Sequence, residues 1–304
     1  MNGVLQKSWY QPHPLSLILW PLSLFYGFAM WLRQRLYDQG LLTSFRLPVP
    51  VVVVGNLSVG GTGKTPLIIS LIERLSDKGH KVGVISRGYG GNPPFIPMVV
   101  DASTRAGESG DEPLAIFRRT GVPVAVGPDR VDSGHLLIEK MGCDLLVSDD
   151  GFQHLRLNRD IDIVVVDGAR GFGNGRCLPA GPLREFPSAI HRADIIVTNG
   201  EPEPSVVPAS QTYFVGDVVT RKVQHLSKPI ERSISELSGQ QLFAFAGLGN
   251  PDRFFDLLRD QGLSFHTRVF QDLHVYSESD FNSVPDDASV IITEKDAVKC
   301  EHLT

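Results

Sequence analysis

A chain of 304 residues has room for about two domains. A hydrophobic share of 42% and a charged share of 21% are ordinary globular values, and a net charge of −5 gives no electrostatic case for nucleic acid as a partner. The three cysteines, Cys143, Cys177 and Cys300, are far apart and odd in number, so neither a disulfide framework nor a zinc site follows, and a reducing cytoplasm is the simplest setting.

The N-terminus departs from this average. Residues 15–32 run for about 18 positions without a charge, the lower limit for crossing a bilayer. Pro21 and Gly27 argue against one straight span. Trp9, Tyr10, Trp20, Tyr26 and Trp31 carry rings that favour a membrane interface, and Arg33, Arg35 and Arg46 form a basic flank suited to anionic headgroups. No small-x-small cleavage site follows, which argues against a secretory signal. The favoured reading is a helix lying in one leaflet, ahead of a buried helix and of a true span.

Next comes the most informative stretch. The apolar run Val51-Val52-Val53-Val54 predicts a buried strand, and Gly55-Asn56-Leu57-Ser58-Val59-Gly60-Gly61-Thr62-Gly63-Lys64-Thr65 predicts a phosphate-binding loop opening a helix near Lys64. Glycines let backbone N–H groups turn toward a triphosphate, Lys64 reaches the outer phosphates, and Thr65 can hold Mg²⁺. The pattern is imperfect, because Ser58 stands where G-x-x-x-x-G-K-[ST] has its first glycine.

Helices are predicted over 65–77, 111–120 and 130–141, and strands over 82–86, 122–126, 144–148, 161–166 and 195–198. Short apolar strands alternating with helices predict a mostly parallel sheet covered on both faces. Ligands in such sheets bind beyond the carboxyl ends of the strands, where 58–65, Ser86-Arg87, Asp149-Asp150 and Asp167 all fall. By sequence alone Asp111 reads as a helix N-cap ahead of Pro113. A Pro-rich break at 201–208 is a candidate linker, and 213–223 reads as extended chain. A second unit starts with a strand at 242–246, a strand-to-helix turn at Gly247-Leu248-Gly249-Asn250-Pro251, a helix over 252–261, and strands near 267–270 and 289–292. The expected division is a membrane-associated helical segment over 1–46, a P-loop domain over 47–210, and a smaller α/β domain over 211–304, with a final strand and helix expected beyond the given sequence.

Six runs occur in a fixed order: Gly60-Gly61-Thr62-Gly63-Lys64-Thr65-Pro66, Ser86-Arg87-Gly88-Tyr89-Gly90, Gly110-Asp111-Glu112-Pro113, Asp149-Asp150-Gly151-Phe152-Gln153-His154, Leu178-Pro179-Ala180-Gly181-Pro182-Leu183-Arg184-Glu185 and Thr293-Glu294-Lys295-Asp296-Ala297. Together they closely resemble the tetraacyldisaccharide 4'-kinase family, over nearly the whole chain. The P-loop alone is generic; the fourth and fifth runs are far more specific. The resemblance implies transfer of the γ-phosphate of ATP to the 4'-hydroxyl of a tetraacylated glucosamine disaccharide 1-phosphate, giving lipid IVA in lipid A synthesis. It also implies peripheral attachment to the cytoplasmic face of a bacterial inner membrane.

Phosphoryl transfer needs phosphate clamps, a metal and a positioned nucleophile. The expected ATP contacts are Ser58, Val59, Gly60, Gly61, Thr62, Gly63, Lys64 and Thr65. The expected Mg²⁺ contacts are Thr65, Asp149, Asp150 and Glu112, with Asp167 in second place. The resemblance makes Asp111 the acceptor of the sugar hydroxyl's proton, acting with a histidine of the second domain. Where the family pattern reads Phe-x-Asp-His-His, this chain has Phe270-Gln271-Asp272-Leu273-His274, so His274 remains and Leu273 takes the place of the first histidine. Arg87 and Arg184 are expected on the phosphates of ATP or lipid, Arg130 less so, and Gln153 and His154 beside the acceptor. No obligate protein partner is inferred. The rival reading is a membrane-associated regulatory P-loop ATPase or GTPase switch. A guanine reader needs Asn-Lys-x-Asp after a strand, whereas Asn199-Gly200-Glu201 has no lysine and Thr293-Glu294-Lys295-Asp296 has its lysine one place late.

Overall fold

The computed structural model describes residues 3–203, 206–208, 210–220 and 222–303. Three helices open the chain: α1 (Gly3–Tyr10), α2 (Pro14–Ile18) and α3 (Trp20–Asp38). The break falls at Leu19, and Pro21 sits in the first turn of α3, where its missing N–H costs nothing. No helix among the described residues is long and apolar enough to cross a membrane.

The P-loop unit follows as β1 (Val51–Gly55), α4 (Lys64–Asp77), β2 (Val82–Ser86), β3 (Met98–Val100), α5 (Ala106–Ser109), α6 (Asp111–Thr120), β4 (Val124–Val126), α7 (Arg130–Met141), β5 (Leu145–Asp149), β6 (Ile161–Asp167), β7 (Ile195–Asn199) and β8 (Tyr213–Gly216). These strands form one eight-stranded sheet in the order β3-β4-β2-β5-β1-β6-β7-β8. Only the edge pair β3–β4 is antiparallel. β1 lies between β5 and β6, and its side chains alternate between two cores: Val51 and Val53 on one face, Val52 and Val54 on the other. Burial on both faces is why this strand reads as an unbroken apolar run, each such side chain contributing about 1.5–3 kcal/mol.

The strand expected over 122–126 begins only at Val124, since Pro123 has no N–H to give a ladder. The extended stretch expected over 213–223 divides. β8 joins β7 at the edge of the large sheet, while β9 (Lys222–Gln224) pairs with β10 (Glu231–Ser233) in a separate ribbon. The last unit holds β11 (Leu242–Ala246), α8 (Pro251–Asp260), β12 (His266–Val269), β13 (Ser289–Ile291) and α9 (Glu294–Ala297). Its parallel sheet, β12-β11-β13, has cores of its own on each side.

Candidate active site

The P-loop is held by neighbours distant in sequence. Gly63, at φ 95, is the N-cap of α4. A side chain there would meet Asn199 Nδ2 at 2.3 Å, so glycine is required by both conformation and space. Asn199 Nδ2 donates to Thr62 O at 3.2 Å, and Asn56 Nδ2 donates to Ser58 O at 2.7 Å. Ser58 forms an antiparallel bridge with Leu183, while Val59 N donates to Pro182 O and Arg184 N to Leu57 O. The run 178–185 thus pairs with the backbone of the phosphate loop, and that pairing accounts for a residue other than glycine at position 58. From the other side the 247–251 turn approaches, for a side chain on Gly249 would touch Gly60 and Gly61.

Parallel register puts Val54 of β1 opposite Asp149 of β5, so the acid pair emerges beside the phosphate loop. Asp149 is 2% exposed and accepts from Ser86 Oγ at 3.1 Å; its Oδ1 has no hydrogen bond. Burial pushes its carboxyl up to about 7, with Glu112 and Asp150 adding to the rise. Asp150 takes the left-handed conformation at φ 49. Burial would raise its carboxyl too, but Lys64, Arg184 and Arg130 outweigh it and hold the group at about 2. Lys64 Nζ lies 3.5 Å from Asp150 Oδ1, and Arg184 Nη1 lies 2.7 Å from Oδ2. Unbonded oxygens on Asp149 and Asp150 suit a divalent cation. No group of three or more His, Cys, Asp or Glu side chains among the described residues is gathered as a metal cage. Mg²⁺ is commonly held by one or two carboxylates plus substrate phosphates, and this pair fits that pattern.

Arg130 differs from the phosphate clamp considered from sequence. It is 5% exposed, and its Nη2 donates to Asp149 O at 3.0 Å and Asp150 O at 2.8 Å, bracing the strained turn of the acid pair. Asp167 is also spent locally: Oδ1 accepts from the backbone N–H of Ala169 and Arg170, and Oδ2 lies 3.4 Å from Arg253 of α8. Gln153 donates to Asn56 O and to Glu185 Oε1 and accepts from Arg184. His154 Nε2 is buried without a partner, and burial, helped by Arg130, pushes the ring down to about 4. Arg87 is exposed on the cleft wall.

One continuous cleft runs from the phosphate loop past Asp150, Arg184 and Glu112 to Asp272 and Lys295 of the last unit. Asp111 is 3% exposed at the first turn of α6. It is no N-cap, since that position belongs to Gly110; its Oδ1 accepts from Glu112 N at 3.0 Å, and its Oδ2 has no hydrogen bond. Burial raises the Asp111 carboxyl against the pull of Lys295 and Lys299, whose ammonium groups lie 3.7 and 3.9 Å from Oδ2. His274 and Asp111 are not joined in this structure. His274 Nε2 lies 3.0 Å from Asp280 Oδ2, and its ring stacks on Phe270 at 4.5 Å. Leu273, at φ 64, instead turns its side chain toward Gly90, where any side chain would meet Leu273 Cδ2 at 2.7 Å. Sequence reasoning missed Asn199, Lys295 and the bracing role of Arg130. Lys295 stood within a family-like run, and Asn199 directly followed the strand predicted over 195–198.

The family described as tetraacyldisaccharide-1-P 4'-kinase matches residues 15–304. The tetraacyldisaccharide 4'-kinase of Shewanella halifaxensis is 44% identical, covering 99% of this chain and 89% of its own length. The Stutzerimonas stutzeri enzyme of the same name is 46% identical, covering 97% and 87%. The crystal structure of the "apo" form of LpxK from Aquifex aeolicus in complex with ATP superposes with a TM-score of 0.77 at 30% identity, covering 94% of this chain and 90% of that one. A family match from residue 15 to residue 304, with relatives 44% and 46% identical over nearly its whole length, shows that the chain belongs to the tetraacyldisaccharide-1-P 4'-kinase family.

Proposed function

We propose that this cleft performs the family's reaction with the following division of labour. The chain is an ATP-dependent kinase that phosphorylates the 4'-hydroxyl of a tetraacyldisaccharide 1-phosphate in lipid A biosynthesis. The observation that carries the reading is the phosphate loop with Lys64 and the Asp149-Asp150 pair at its side, facing a cleft closed by a second unit. A regulatory switch would need no such acceptor cleft. Incubation with γ-labelled ATP and the disaccharide lipid tests it: label on the lipid is expected, and label released only as free phosphate would overturn the reading.

The loop N–H groups of 58–65 and Lys64 hold the triphosphate, and Lys64 follows the charge that develops on the transferring group. Thr65, Asp149 and Asp150 would hold Mg²⁺, with Glu112 at its edge. The ion would neutralise phosphate charge and align the γ-phosphate with the acceptor. Asp111, with an unbonded carboxylate oxygen, takes the proton of the sugar hydroxyl. His274 sits on the turn whose Asp272 and Leu273 reach the cleft, and it orients that step from the second unit. Arg87 and Arg184 meet phosphates, and Gln153 and His154 line the acceptor side. The division into 1–46, 47–210 and 211–304 is part of the proposal, with β8 an extension of the large sheet.

The N-terminal helices supply the lipid-facing surface. α3 buries only Ser23 and Gly27; Ser23 Oγ donates to Cys177 O, and Gly27 faces Phe186. Its large apolar residues face out instead: Phe25 is 71% exposed, and Trp20, Leu22, Leu24, Phe28, Trp31 and Leu32 are all exposed. A helix that turns small residues inward and large apolar ones outward needs an apolar partner, and the bilayer interface supplies it. Peripheral binding at the cytoplasmic face of the inner membrane brings the cleft to a substrate whose acyl chains stay in the leaflet.

A further inference from the structure

The run Thr293-Glu294-Lys295-Asp296-Ala297 folds into α9 and its N-cap, and this one-turn helix is fastened to both units. Toward the small sheet, fully buried Asp296 accepts from Gly247 N at 3.2 Å and from Thr293 Oγ1 at 2.9 Å, and pairs with Lys299 at 2.8 Å. Toward the large sheet, Arg119 pairs with Glu294, Arg118 forks onto Glu301 just beyond α9, and Val298 enters the core beneath α4 and α6.

Lys295 stands between these anchors. Its Nζ lies 3.3 Å from Glu112 Oε1, 3.7 Å from Asp111 Oδ2 and 3.4 Å from Asp272 Oδ1. Two of those carboxylates come from the first turn of α6 and the third from the 271–274 turn of the last unit. Its ammonium donates to Glu112 and Asp272 and acts on Asp111 by charge across 3.7 Å. Burial works against its charge, but the three carboxylates outweigh burial and raise its pKa. Lys295 and Glu112 line the cleft, with Asp111 buried behind them.

We propose that Lys295 is a positioning residue of the phosphoryl transfer: its ammonium sets the spacing and orientation of the Asp111-Glu112 pair, and Asp272 ties that arrangement to the docking of the C-terminal unit. The proposal rests on the reading of Asp111 as the base for the acceptor hydroxyl. Lys299 reaches only Asp111, so without the ammonium they share the two adjacent carboxylates repel each other and Glu112 turns outward, which spoils alignment with the hydroxyl. The phosphate loop is braced by Asn56, Asn199 and the 178–185 run rather than by Lys295, so ATP binding should persist when Lys295 is replaced.

The test uses the full chain with γ-labelled ATP and tetraacyl disaccharide 1-phosphate in mixed micelles. Lys295→Met should lower kcat about 10²-fold while KM for ATP stays within about 2-fold. Lys295→Arg should recover to within about 5-fold of the parent, because charge and donors return. Lys295→Met added to Asp111→Asn should cost little more than Asp111→Asn alone, since groups acting as a unit lose non-additively. A parental kcat in Lys295→Met, a loss equally large in KM for ATP, or an Arg variant that recovers nothing would each overturn the proposal. Should Lys295→Met not fold, Asp272→Asn decides. Asp272 is exposed at the cleft edge and its loss should cost about 3- to 10-fold in kcat, whereas an unchanged kcat removes the tie to the C-terminal unit. A parental rate in Asp111→Asn overturns the base reading itself, and it is read from that variant alone.

Discussion

Two pairs of neighbouring acids sit at the same cleft, Asp111 just behind its wall, and are managed in opposite ways. Asp149-Asp150 draws its cations from the large unit: Lys64, Arg184 and, through the backbone, Arg130. Its two carboxyls are driven apart, one up to about 7 and the other down to about 2. Asp111-Glu112 draws its cations from the far unit: Lys295 at both acids and Lys299 at Asp111. A pair neutralised from within is preformed before any closure, as a phosphate and metal site should be. A pair neutralised from across the cleft is complete only when the units are docked, as suits a step that must not run on water.

The largest effect expected from breaking the first arrangement is that of Lys64→Ala, which removes the cation beside Asp150 that we assign to the transferring phosphoryl group. Turnover should fall at least about 10²-fold in a folded protein. Near-parental turnover would end the P-loop reading. Asp111→Ala breaks the second arrangement, and kcat should drop on the order of 10²-fold with ATP binding near normal. His274→Ala should cost less, and the double variant should be little worse than Asp111→Ala. Strictly multiplicative losses would mean that His274, which sits on Asp280 in this structure, serves substrate binding independently.

A subtler test uses the split within the first pair. Metal binds the ionised carboxylate, and burial holds the Asp149 carboxyl up at about 7. As pH falls below about 7 a proton competes for Asp149, so the Mg²⁺ concentration for half-maximal activity should rise, by up to about tenfold per pH unit. Asp150, held at about 2, adds nothing in this window. Asp149→Asn should flatten the dependence; a flat profile in the parent enzyme would remove Asp149 from the metal site. The smallest effect concerns the surface proposed to bring the cleft to lipid. Removing 1–35 would strip buried contacts, since Trp9 Nε1 donates to Pro179 O and Arg33 donates to Gln153 O. Replacing exposed Phe25, Phe28 and Leu32 together by Ser leaves those contacts, so stability should change by less than about 1 kcal/mol. Sedimentation with anionic vesicles should weaken several-fold; unchanged sedimentation would place the anchor elsewhere.

Sequence by itself determined what is written in contiguous chain. Val51 to Asp77 spells strand, loop and helix in one stretch, because burial on both faces forces an apolar run and because the phosphate loop must follow its strand directly. The same logic placed Asp149-Asp150 and Asp167 at strand ends and Asp111 at the start of α6. The apolar N-terminus was visible as an uncharged run and Pro21 argued against one straight helix, but the inward turn of Ser23 and Gly27 was not visible. Only the tertiary structure decided which charges meet. Asn199 holds Thr62 from 137 positions away, and Lys295 reaches Glu112 across 183. Neither pairing leaves a periodic trace. Arg130 has the chemistry of a phosphate clamp, yet burial under the acid pair turns it into a brace. Leu273 and His274 occupy the expected place in the chain, but a left-handed residue sends one toward Gly90 and leaves the other on Asp280. Local patterns follow from what each element must bury, whereas the partner of a charge is set by how separate elements pack, and packing distance has no counterpart in sequence distance.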